Sequence, residues 1–222
     1  MPTVNVWTAD LDVPAEEILR LEHHLDTHER ARAQRFRFAR DRRRFVVRRG
    51  LLKERLAQVL NEPPSRLAFS LGPLGKPALR DHRCRFSLSH SHERMALAIS
   101  EVEVGCDIER IDHELDWAPI SAQLFQPSTL NQLALLDPAE ARTAFFRCWT
   151  RMEARVKAAG HGLGQSIDAN TWPGEESDLA WRVVDVEVHP GYVLAVAAAK
   201  EATPCRVVIE SGKALGSVPA VG

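Results

Sequence analysis

The chain has 222 residues, 45% hydrophobic and 27% charged, with a net charge of −1, a balance that excludes an intrinsically disordered chain. No run approaches the roughly 20 apolar residues of a membrane span, and the start, MPTVNVWTADLDVPAEE, lacks the basic and apolar regions of a signal peptide, so a cytoplasmic protein with no membrane partner is expected. Cys84, Cys106, Cys148 and Cys205 stand apart without a CxxC pair, which argues against a disulfide scaffold and for reduced thiols.

TVNVW alternates as a first strand does, and PAEEILRLEHHL places Ile18, Leu21 and Leu25 at helical spacing after Pro14. From Asp26 to Leu60 the apolar recurrence predicts one or two helices ending before NEPPSR. Residues 30 to 49 of that segment hold ten arginines and one aspartate, an excess of positive charge that calls for an anionic partner. Burial-type spacing of Phe36, Phe38 and Phe45 speaks for core packing over base stacking, so no nucleic acid is expected.

LGPLGKPAL holds turn residues, and RFSLSHS, MALAIS and VEVGCDIERI then read as a small antiparallel meander. DPAEARTAFFRCWTRMEARVKAAGHG is a helix with Asp137 as N-cap, Pro138 at its first position and Gly160 as its stop. WRVVDVEVHPGYVLAVAAAK and CRVVIE are strand-like around a Pro-Gly turn, and residues 213 to 222 have tail composition. The recurrence of strand and helix predicts an α+β chain of two similar halves, 1 to 112 and 113 to 212, followed by a flexible tail from 213 to 222.

Within VGCDIER, strand alternation sends Asp107 and Glu109 to one face, about 7 Å apart. Two such carboxylates can share a hard cation or simply face water. Glu153 and Lys157 lie one turn apart with Trp149 on a single helical stripe, which reads either as a third acid with a cation or as an exposed ion pair beside a core tryptophan. His90 and His92 with Asp107 hint at zinc, but no further ligands have zinc spacing. Ser89 beside His90 lacks a GxSxG elbow.

Three separated patterns then fall in one order: GKP at 75 to 77, FSLSHS leading to VGCDIE, and WTRMEARVKAAGHGL at 149 to 163. With RFRFARDRRRF and HPGYVLAVAA, they make nearly the whole chain resemble the surfactin-type phosphopantetheinyl transferases. The resemblance implies a monomeric pseudo-dimer of two α/β halves with coenzyme A in the cleft between them. It implies an enzyme of the holo-acyl-carrier-protein synthase type, which moves the phosphopantetheine arm to a serine of an acyl or peptidyl carrier protein.

Position by position, the resemblance implies that Asp107, Glu109 and Glu153 hold magnesium, or manganese in its place. Glu153 or a metal-bound water would assist deprotonation of the carrier serine, and Lys157 would stabilise the transferring phosphate. Arg44 and His90 would meet the 3′-phosphate of coenzyme A, while Lys76 and Ser89 would line the nucleotide site. Carriers of fatty acid, polyketide or nonribosomal peptide synthesis are typically acidic, so the basic segment would also steer them. The chain departs from the family pattern at Ser87, usually asparagine, and at Met152, usually lysine, with Arg155 one turn on as the nearest substitute. Loss of that lysine frames the alternative of a catalytically weakened member that still binds coenzyme A or a carrier.

Overall fold

The computed structural model describes residues 3–81, 83–160, 180–199 and 206–212, the last of these as backbone only. β1 (Thr3–Asp10) is followed by α1 (Ala15–Glu22), α2 (Thr27–Gln34) and the long α3 (Ala39–Leu60). The short pair β2 (Phe69–Leu71) and β3 (Pro77–Leu79) leads into β4 (Arg85–Ser91), β5 (Arg94–Ser100) and β6 (Val104–Arg110). α4 (Ala118–Leu124), α5 (Pro127–Ala134) and α6 (Pro138–Ala159) then precede β7 (Trp181–Val186), β8 (Tyr192–Ala199) and β9 (Arg206–Gly212).

The helix ends follow local chemistry. Asp26 and Glu29 form a reciprocal capping box on α2, and the Asp137 side chain accepts from Ala139 N and Glu140 N at the start of α6. Gly160, at φ 70°, closes α6 in the left-handed region that glycine enters without strain. Asn61 does the same for α3 at φ 52°. The expected α6 is therefore found with both its caps. The short helices α4 and α5, each with proline in its first turn, carry no sequence expectation.

The sheets correct one expectation. β4, β5 and β6 do not form a single meander. β5 pairs antiparallel with β4 and β1, and β9 adds in parallel to the other edge of β1, giving the order β4-β5-β1-β9. β6 instead pairs with β8 in a second sheet, β6-β8-β7. The sheets therefore divide between β5 and β6, ahead of the expected boundary at Asp112. Alternation tells which side chains share a face, but not which strand receives the backbone hydrogen bonds.

Both halves bury apolar area in common. Val4, Val6, Ala96 and Ala98 of the first sheet pack with Val104, Cys106, Ile108, Leu194 and Val196 of the second. A core of Leu21, Leu52, Leu56, Phe86 and Leu97 joins the first sheet to α1 and α3. α6 lies on the second sheet through Ala154 and Ala158 against Val183, Ala195 and Ala197. Gly105 permits that approach, because a Cβ there would stand 1.9 Å from the Ala154 carbonyl oxygen. The absent side chain of Gly105 thus brings the stripe of Glu153 and Lys157 onto β6.

Candidate active site

β4 and β6 are edge strands of different sheets, and their backbones meet without a regular ladder. Serine hydroxyls bridge the seam. Ser87 Oγ accepts from Cys106 N at 3.0 Å. Ser89 Oγ donates to Asp107 Oδ1 at 2.7 Å. Ser91 Oγ donates to Glu109 Oε2 at 2.7 Å and accepts from Arg110 N at 3.2 Å. Phe86 on the opposite face of β4 enters the core. The S-x-S-x-S alternation is what sends every hydroxyl to the seam. It fixes both acids of β6, and Ser91 is a member that the sequence reading left out.

The seam forms the floor of a cleft of about 930 Å³, walled by α3, the β2–β3 hairpin and α6. Ser89, His90, Asp107, Glu109, Glu153 and Lys157 all line it, so six of the eight expected site residues converge from three elements, β4, β6 and α6. Asp107 is 3% exposed and Glu153 is 8% exposed. Lys157 Nζ donates to Asp107 Oδ1 at 2.5 Å and to Ser89 Oγ at 3.0 Å.

Charge in this floor is unbalanced. Burial pushes Glu109 up to about 7, helped by the Asp107 and Glu153 carboxylates. Burial and Asp107 raise Glu153, and burial raises Asp107 against the pull of Lys157 and Ser89. Burial alone would depress Lys157, but the Asp107 carboxylate outweighs it and holds the ammonium above its ordinary value. Asp107 Oδ2 is buried without a hydrogen-bond partner. Three carboxylates, one ammonium and an orphaned oxygen donor are a set suited to a hard dication. Among the described residues no three His, Cys, Asp or Glu side chains are gathered closely enough to hold a metal ion as they stand; Lys157 occupies Asp107 instead.

Two expected residues are placed elsewhere. Arg44 makes a two-pronged bond to Asp12, with its Nε 2.8 Å from Oδ1, and lines a side cavity rather than the cleft. Lys76 Nζ donates to Glu103 at 3.1 Å and to the carbonyls of Val104 and Ala158 at 3.2 Å. Its ammonium is thereby satisfied as a clasp between the hairpin, β6 and the end of α6, outside the cleft. Only its neighbours Gly75 and Pro77 reach the cleft wall.

Met152 is buried in the cluster of Phe125, Phe145, Phe146 and Val193 and does not line the cleft. Arg151 pairs with Asp185 at 3.2 Å and Arg155 is 1% exposed; neither lines the cleft. Trp149, half-buried against that same cluster, does line it. Arg32, Phe45, Arg48 and Arg49 complete the basic wall; the arginine run signalled such a wall without saying which members turn inward. The last three residues of the expected pattern, His161 to Leu163, lie outside the described residues, as does the tail from 213 to 222.

Comparison with known proteins gives one consistent result. Residues 103–197 match the model of the 4′-phosphopantetheinyl transferase superfamily, and residues 12–102 match that of the 4′-phosphopantetheinyl transferase N-terminal region. The chain is 32% identical over 207 residues to the 4′-phosphopantetheinyl transferase HetI of Nostoc sp., covering 88% of this chain and 87% of the relative. It is 30% identical over 206 residues to the 4′-phosphopantetheinyl transferase psf-1 of Bacillus pumilus, covering 87% of each. It is 37% identical over 113 residues to the 4′-phosphopantetheinyl transferase gsp of Aneurinibacillus migulanus, covering 51% of this chain and 46% of the relative.

Proposed function

The chain belongs to the 4′-phosphopantetheinyl transferase superfamily, and from that premise we propose that it transfers the phosphopantetheine arm of coenzyme A to a serine of an acyl or peptidyl carrier protein. The observation that carries this reading is the convergence of Asp107, Glu109, Glu153 and Lys157 at the floor of one cleft. We further propose magnesium as the metal, with manganese as its substitute, held by those three carboxylates. Held there, such an ion would supply neutralisation of the negative charge on the pyrophosphate.

The chain's own groups supply the rest. The basic wall of α3 receives the nucleotide phosphates, and the hairpin with Trp149 shields the pantetheine side from water. Glu153, which lines the cleft beside Lys157, takes the proton from the carrier serine. The serine Oγ–phosphorus bond forms as the bond from that phosphorus to the nucleotide's 5′-phosphate oxygen breaks, releasing adenosine 3′,5′-bisphosphate. Lys157, held by Asp107 and Ser89, stabilises the negative charge spreading over the transferring phosphoryl oxygens.

Incubation with an apo carrier, coenzyme A and magnesium, followed by intact-mass analysis of the carrier, tests the reading. Addition of phosphopantetheine, lost with a chelator and restored by magnesium, is expected. Absence of any adduct across fatty acid, polyketide and nonribosomal peptide carriers sinks it.

A further inference from the structure

The turn that joins β4 to β5 is strained, and the other half of the molecule holds it. Ser91 pairs with Arg94, so only His92 and Glu93 lie between the strands. His92 stands at φ 53°, in the left-handed region that glycine enters without strain and that two-residue hairpins favour glycine for. A larger side chain persists there only where its surroundings fix the backbone.

Glu93 supplies that fixing. Its carbonyl oxygen accepts from Leu11 N at 2.7 Å, and its Oε1 accepts from the Tyr192 hydroxyl, also at 2.7 Å. Its other carboxylate oxygen lies 3.9 Å from the Arg44 guanidinium, which is forked onto Asp12. Tyr192 opens β8, opposite Arg110 of β6, and is 9% exposed. The Tyr192 hydroxyl is the chief cause that holds the Glu93 carboxyl below its ordinary value. On the near side of the same turn, Ser91 Oγ donates to Glu109, accepts from Arg110 N and lies 3.3 Å from His92 Nδ1. Among the described residues Ser91 is the one hydrogen-bond donor to the Glu109 side chain. Ser91, His92 and Glu93 are consecutive, so a turn free to relax would carry the Ser91 hydroxyl off the Glu109 carboxylate.

We propose that Tyr192 and Glu93 are positioning residues: their bond, made between the halves and away from the cleft, holds the strained His92 turn so that Ser91 presents Glu109 to a divalent metal ion. The assignment rests on the metal reading above. It makes the geometry of one metal-holding carboxylate depend on a phenol that belongs to neither of the strands at the seam.

The test is titration of the full chain with manganese in the presence of coenzyme A, read from the electron paramagnetic resonance signal of the free ion, so that no turnover is needed. Tyr192→Phe keeps the ring and removes the hydroxyl. It is expected to weaken manganese at least about threefold, less than the roughly tenfold loss expected of Ser91→Ala, which removes the hydroxyl on the metal-holding carboxylate itself. Glu93→Ala is expected to match Tyr192→Phe, and Glu93→Gln, whose amide oxygen still accepts from the phenol, to lose less. Added to Ser91→Ala, Tyr192→Phe is expected to cost nothing further, because the two act in series. In the Tyr192→Phe protein, His92→Gly is expected to restore part of the affinity, since the turn then holds its φ without help. Coenzyme A binding without metal, read by calorimetry, is expected to stay unchanged in Tyr192→Phe. Fully additive losses, no recovery with glycine, an equal loss of coenzyme A affinity, or a lowered melting temperature with manganese affinity unchanged would each overturn the proposal while leaving the transferase reading intact. Failure of the wild-type protein to bind manganese would overturn the metal reading and this proposal with it.

Discussion

At Glu109, burial and the nearby Asp107 and Glu153 carboxylates raise the pKa from 4.5 to about 7. A carboxyl whose folded pKa lies above its unfolded value contributes stability below pH 4.5 that is lost as pH rises through about 7, because the folded state keeps the proton longer. His90, depressed from 6.5 to about 4, works in the opposite sense over that lower window. The clean measurement is therefore the difference in melting temperature between the wild-type protein and Glu109→Gln. That difference is expected to move against the wild type from pH 5 to 8, and magnesium with coenzyme A is expected to cancel it. A flat difference would show that Glu109 is not held protonated. Glu153→Gln is expected to lower single-turnover transfer by about 100-fold or more, the usual contribution of a positioned base, with coenzyme A still bound. Met152→Lys forces an ammonium into the cluster of Phe146 and Val193, so a lower melting temperature with no gain in turnover is expected.

Among the elements, α6 was the most legible in the sequence, since Asp137, Pro138 and Gly160 state both of its ends in local chemistry. The carboxylates of β6 and the stripe of α6 were legible as faces. Their meeting was not, because it depends on Gly105 admitting the helix backbone, a tertiary approach with no local signature. Serine spacing on β4 contained the seam, yet hydroxyls at alternate positions read equally well as a solvated face. Lys76 and Arg44 lie outside the cleft for one reason: a cation's type and position in a motif do not disclose that a carboxylate elsewhere pairs with it. Gly105→Ala tests the helix–strand contact directly. Overpacking against the Ala154 carbonyl is expected to destabilise the protein by about 3 kcal/mol or more, read by denaturant titration, and to lower transfer by moving Glu153 and Lys157 together. Ser91→Ala, which leaves that contact alone, is expected to weaken metal-dependent activity with a smaller loss of stability.

Across the whole molecule, the halves share the core around Val6, Ala98, Cys106 and Val196, and Tyr192 of one half donates to Glu93 of the other. Such a shared interior is expected to melt as one unit, with tryptophan fluorescence and far-ultraviolet circular dichroism giving coincident transitions. β9 strengthens the expectation, because the last described strand of the chain pairs with the first, Thr3 opposite Arg206 and Ala9 opposite Gly212.

That pairing also orders events during synthesis on the ribosome. β1 emerges well before β9, and one of its two edges stays open until residues 206–212 have left the exit tunnel, long after α3, β4 and β5 are available to fold. An open edge offers unpaired N–H and C=O groups to any passing strand. The interval between the making of β1 and the making of β9 is therefore when the nascent chain is most exposed to misassembly.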